Sequence, residues 1–89
     1  MDPDYGHHIN PISRLIQVMQ IRQEHEPVFK LVAEQGQNRH KEFIVSVECM
    51  NLQKEGTGPN KKLAKRAAAE AMLATIGYVK VWFGIFNSN

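Results

Sequence analysis

The chain has little with which to do chemistry. One cysteine, Cys49, stands among 89 residues, which excludes an intramolecular disulfide. Its alternation with Phe43, Val45 and Val47 reads as a small core side chain rather than a reactive thiol. Aspartate is confined to Asp2 and Asp4, so the folded region has none for acid–base work, and no Cys/His cluster has metal-ligand spacing. His7-His8 reads as part of a polar lead-in, and His25 and His40 as solvated loop side chains. The expectation is no catalysis, no cofactor and no metal. There is also no apolar run long enough to span a bilayer and no signal-peptide pattern at the start. That points to a soluble, cytoplasmic protein with no membrane partner.

A formal charge of +2 is too small to mean much as a total, but the cations are unevenly placed. From Gly56 to Met72 the chain reads Gly-Thr-Gly-Pro-Asn-Lys-Lys-Leu-Ala-Lys-Arg-Ala-Ala-Ala-Glu-Ala-Met, a punctuated loop running into a segment of high helix propensity. On a wheel of about 100° per residue, Lys61, Lys62, Lys65 and Arg66 fall within an arc of about 140°. Leu63, Ala64, Ala67, Ala68, Ala71 and Ala74 fill the opposite arc, so one face is expected to be cationic and the other small and apolar. Helix starts favour acidic residues by about 0.3–1 kcal/mol per charge, yet no acid precedes Glu70 here. A solvated face is the bland explanation. Free N–H groups, the positive dipole end and four cations together favour a polyanion site instead.

The rest of the chain supplies one small core, for which 43% apolar residues suffice. Residues 1–9 form a lead-in. Asn10-Pro11 starts a helix, with Asn capping and Pro lacking the N–H that would need a partner. Ile12, Leu15, Ile16 and Met19 form its buried stripe, Ser13, Gln17 and Gln20 an uncharged polar one, and Pro27 places its end near Glu24 or His25. Val28 to Glu34 alternates as a strand, with Phe29, Leu31 and Ala33 on one side and Lys30, Val32 and Glu34 on the other. A polar loop through Gly36, Arg39 and His40 leads to a second strand, Glu42 to Met50, with Phe43, Val45, Val47 and Cys49 inward. Asn51 marks a tight turn, and Leu52 to Gly56 is a short third strand. The fold class is α+β, in the order α-β-β-β-α: a three-stranded antiparallel sheet with two helices on one face. Gly77 is placed as the cap of the second helix. Residues 79–89 are an apolar tail whose Trp82, Phe83, Ile85 and Phe86 either fold back on the core or seek a partner.

These residues resemble a known family. Asn10-Pro11-Ile12-Ser13-x-Leu15, Glu26-Pro27-Val28-Phe29-x-Leu31, Lys41-Glu42-Phe43, Gly56-Thr57-Gly58 and Lys61-Lys62-x-Ala64-Lys65-Arg66 are similar, in order, to the elements of a double-stranded RNA-binding domain. The resemblance covers residues 10–78. Within it, residues 10–17, 55–62 and the Leu73-to-Tyr78 ending most resemble Staufen-type domains, modules of mRNA localisation and decay factors. It implies that Lys61, Lys62 and Lys65 contact phosphates across the major groove, that Ser13, Gln17 and Gln20 face a minor groove, and that Arg39 and His40 enter the next. Two departures stand out. Gln17 stands where many members have Glu, and Gly36-Gln37-Asn38-Arg39 stands where many have Gly-Pro-x-His. The resemblance leaves one alternative, a protein–protein or homodimerisation module of the same fold using the sheet or the tail.

Overall fold

The structure, a computed structural model, describes residues 10–77. The lead-in with His7-His8, Tyr78 and the tail with Trp82, Phe83, Ile85 and Phe86 lie outside the described residues. The element order is α1 (Pro11–Ile21), β1 (Val28–Gln35), β2 (Glu42–Cys49), β3 (Leu52–Gly58) and α2 (Lys61–Thr75). The strands form one antiparallel sheet in the order β1-β2-β3, and both helices cover one of its faces.

Each boundary has a local cause. The Asn10 side chain accepts from the Ile12 N–H at 2.8 Å and Pro11 opens α1, as the sequence predicts. The helix ends earlier than expected, at Ile21. Glu24 N–H donates to Met19 C=O at 2.8 Å and Gln23 N–H to Gln20 C=O at 3.0 Å, which is a Schellman closure with Gln23 left-handed at φ 59°. Glycine or asparagine would have announced that stop; glutamine hides it. Between β2 and β3, Met50 and Asn51 are both left-handed, at φ 51° and 61°, which matches the twist of a two-residue hairpin. Gly77, at φ 89°, follows the end of α2 and donates to Ala74 C=O at 3.2 Å, as expected of a cap.

The core joins Leu15, Val18 and Met19 of α1, Val45, Val47 and Cys49 of β2, and Ala64, Ala68, Ala69, Met72 and Leu73 of α2. Val18 joins the expected stripe of α1, while Ile12 and Ile16 are half-buried. The inward set of β2 is as predicted, though Ser46 on its other face is also buried and Met50 packs on the core from the turn.

Strand β1 departs from simple alternation. Phe29 pairs with Val47 and Leu31 with Val45, but Ala33 pairs with Ile44 and Glu34 with Phe43, because the register shifts between Leu31 and Ala33. This bulge at Val32 moves Ala33 to the outer face and brings Glu34 to the helix side, opposite to the even–odd reading. Strand β3 also runs two residues further than expected, so Thr57 and Gly58 join Gly56 in the strand. Gly56, Thr57 and Gly58 pair with Val45, Ile44 and Phe43.

Candidate nucleic-acid interface

The placement of the second helix starts from glycines in the strand beneath it. A Cβ at Gly56 would collide with the backbone of Ala67 and Ala68 and lie 2.7 Å from Ala64 O. One at Gly58 would lie 2.8 Å from Ala64 N. The backbones of β3 and α2 are therefore in direct contact, which only glycine on one side and alanine on the other permit. The Asn60 side chain accepts from Leu63 N–H at 2.9 Å, and the Lys61 and Lys62 N–H groups have no partner within the helix.

The division of α2 into cationic and apolar faces needs correction. The buried positions Ala64, Ala68, Ala69, Met72 and Leu73 centre on the same side of the wheel as Lys61 and Lys65, while Leu63 and Ala74, expected inside, are exposed. Even the first turn of α2 is anchored in the core, because Ala64, between Lys61 and Lys65, is fully buried. The exposed cations and the buried alanines are therefore adjoining zones of the same turns. Lys65 sits where one zone passes into the other: it is half-buried, with Nζ 4.9 Å from the centre of the Phe29 ring, close enough for cation–π attraction. Lys61, Lys62 and Arg66 are exposed. Lys61 and Lys65 lie one turn apart, about 6 Å along the axis.

A carboxylate stands beside these cations. Glu34 Oε2 accepts from Lys41 Nζ at 2.7 Å. That hydrogen bond, the Lys41 charge and, more weakly, the Lys61 charge hold the Glu34 carboxyl below its ordinary range. Glu34 thus ties the end of the β1–β2 loop to β1, within reach of the Lys61 charge. The sequence reading missed Glu34, Lys41 and Phe29 as parts of this surface. The bulge at Val32 explains the first, since alternation alone sends Glu34 to the wrong face.

The other expected residues occupy two further elements. Ser13, Gln17 and Gln20 are all exposed along one stripe of α1. Arg39 and His40 are exposed on a single 3-10 turn, Asn38–His40, closed by His40 N–H donating to Gln37 C=O at 2.9 Å. Gly36 makes that tight return possible: it has φ 95°, and a Cβ there would strike the His40 carbonyl. No group of three or more His, Cys, Asp or Glu among the described residues could hold a metal ion, and no described helix is long and apolar enough to cross a membrane.

Comparison with known proteins places this arrangement. The double-stranded RNA binding motif matches residues 11–76. A double-stranded RNA-binding protein Staufen homolog from Aplysia californica is 62% identical over 79 residues, covering 89% of this chain and 8% of that protein. Staufen homolog 2 from Mus musculus is 54% identical over 76 residues, covering 85% of this chain and 13% of that protein. The chain therefore spans a small part of the length of the curated relatives it matches. A solved structure of Arabidopsis HYL1, described for its implications for miRNA processing, superposes with a TM-score of 0.65 at 27% identity, covering 78% of this chain and 97% of that one. With a family match from the first helix to the last and relatives this similar, the chain belongs to the double-stranded RNA-binding motif family, as a domain of the Staufen type.

Proposed function

We propose that this domain binds double-stranded, A-form RNA by shape, as one module of a cytoplasmic protein that localises or regulates mRNA. The observation carrying the proposal is the exposed cationic start of α2, which the close approach of β3 at Gly56 and Gly58 holds at the edge of the sheet. A-form RNA buries its base edges in a deep, narrow major groove and displays 2′-hydroxyls in a wide, shallow minor groove; a module of this kind spans about 16 base pairs, touching two minor grooves and the phosphates between them. Lys61, Lys62 and Lys65 supply the phosphate contacts, helped by the helix dipole and the unpaired N–H groups of the first turn. Ser13, Gln17 and Gln20 bring neutral donors and acceptors to ribose hydroxyls of one minor groove. Arg39 and His40, on the 3-10 turn, reach the next.

Recognition of this kind tolerates sequence and discriminates by geometry. The test is a fluorescence-anisotropy titration against 20-base-pair RNA, the same sequence as DNA, and each single strand. Duplex RNA should bind at least about tenfold more tightly than the others at equal salt. Equal affinity for duplex DNA would reduce the surface to an unselective polyanion site, and tighter binding of single strands would overturn the proposal.

A further inference from the structure

One residue of the cationic surface works against it. In the sheet, Glu34 pairs with Phe43 and Phe43 with Gly58, so the three form one row across the strands and share a face. That face is the helix side, because a Cβ on Gly58 would point at Ala64 N and Leu63. The row ends three residues before Lys61, which sets Glu34 on the helix side of the sheet, level with the start of α2. The bulge at Val32 is what brings it there. Its side chain is 39% exposed and that of its ion-pair partner Lys41 46% exposed, so neither is sealed from a ligand.

We propose that Glu34 limits the affinity of this domain for duplex RNA, by occupying the Lys41 ammonium in the free protein and by repelling phosphate beside Lys61. The inference rests on the RNA-binding proposal above. Ion pairs this exposed contribute little to folding, so stability alone is a poor reason for a carboxylate at this place. Its effect on a polyanion is direct. A backbone phosphate approaching Lys61 meets a like charge on β1, across the same row of the sheet, and Lys41 contributes no net positive charge until Glu34 releases it. Neutralising Glu34 removes the repulsion and frees the Lys41 charge in one step. A like charge removed from about 10 Å, two strand spacings, in a water-like medium changes association by about twofold, and one freed ammonium adds to this and steepens the salt dependence by about one phosphate contact.

The experiment compares the unmodified domain with Glu34→Gln, Lys41→Gln, the Glu34→Gln/Lys41→Gln pair and Lys61→Ala/Lys65→Ala, each titrated with 20-base-pair RNA from 50 to 200 mM salt. Glutamine keeps an oxygen that can accept from Lys41, so the loop retains its tie; circular dichroism and a thermal melt confirm each fold. Glu34→Gln should bind about three- to tenfold more tightly at 50 mM salt with a steeper salt slope. The Glu34→Gln/Lys41→Gln pair restores the original net charge and should return most of the gain. Unchanged or weaker binding by a folded Glu34→Gln domain overturns the inference, as does a gain that survives loss of Lys41 in full. The Lys61→Ala/Lys65→Ala arm separates the two proposals: if it weakens binding while Glu34→Gln changes nothing, only the role of Glu34 fails. If neither changes binding, the cationic face itself is misassigned.

Discussion

Replacing Gly56 by alanine adds one methyl group where the structure has room for none. The new Cβ would overlap the backbone of Ala67 and Ala68 and approach Ala64 O to 2.7 Å. All three neighbours are main chain of α2, so no side chain can rotate away; the helix must lift from β3 or the strand must bend. Overpacking a well-filled core costs about 1–3 kcal/mol, and backbone neighbours place this case at the upper end. Lower entropy in the unfolded chain returns about 0.4–1 kcal/mol, leaving a net loss of about 2–3 kcal/mol. At about 4–8 °C per kcal/mol for a domain of this size, the melting temperature should fall by about 10–20 °C. Gly77→Ala is the control, because nothing lies within 4 Å of a Cβ there and only its φ of 89° resists the change. It should cost about 1 kcal/mol, the usual penalty for a side chain in left-handed backbone. Thermal melts followed by circular dichroism, with urea titrations for the free energies, measure both. A Gly56→Ala shift below about 3 °C, or one no larger than that of Gly77→Ala, would refute the claim that β3 and α2 meet backbone to backbone.

Three further predictions follow from other contacts. Gln23→Gly should stabilise the domain by about 0.5–1 kcal/mol in urea unfolding, since glycine accepts the left-handed backbone that closes α1; destabilisation would contradict the Schellman reading. A double-mutant cycle of Phe29→Leu with Lys65→Met should give a coupling of about 0.5–1 kcal/mol, the worth of a cation–π pair near the surface, and strict additivity would remove that contact from the account. The third concerns pH. Because Glu34 titrates below its ordinary value in the folded chain, the folded state binds fewer protons than the unfolded state in acid. Its contribution is present above the unfolded value and is lost as pH falls through the folded one. The stability difference between the parent domain and Glu34→Gln should therefore narrow as pH drops below 4.5, and parallel stability–pH curves would count against the Lys41 tie.

Much of the fold is written in patterns of side chains. Asn10-Pro11, the alternation from Phe43 to Cys49 and the turn at Asn51 each state a local rule that the packed chain obeys. Elsewhere a pattern lacks the term that decides the outcome. The stop of α1 depends on a backbone state of Gln23 that glutamine does not advertise, so Pro27 was the nearest visible signal. Gly56-Thr57-Gly58 has the composition of a loop, yet it is strand because α2 must lie almost on its backbone, a tertiary demand invisible to local propensity. The wheel for α2 grouped the lysines but set the apolar face opposite them, because alanine occupies most of the wheel and does not by itself say which alanines face the sheet. Composition located the basic helix start, and the residues proposed to act with it on α1 and the loop come from the family resemblance alone. Glu34 stayed hidden because a one-residue bulge inverts the strand after Val32, and with it the ion pair that Lys41 makes.

The central claim is that the first two turns of α2 grip phosphates, and salt dependence tests it most directly. Binding of a 20-base-pair RNA duplex is measured from 50 to 200 mM salt for the parent domain and for Lys61→Ala/Lys65→Ala, both verified as folded. The double variant should bind at least about tenfold more weakly, with a salt slope shallower by about two phosphate contacts. A folded double variant with the parent's affinity and slope would contradict that claim.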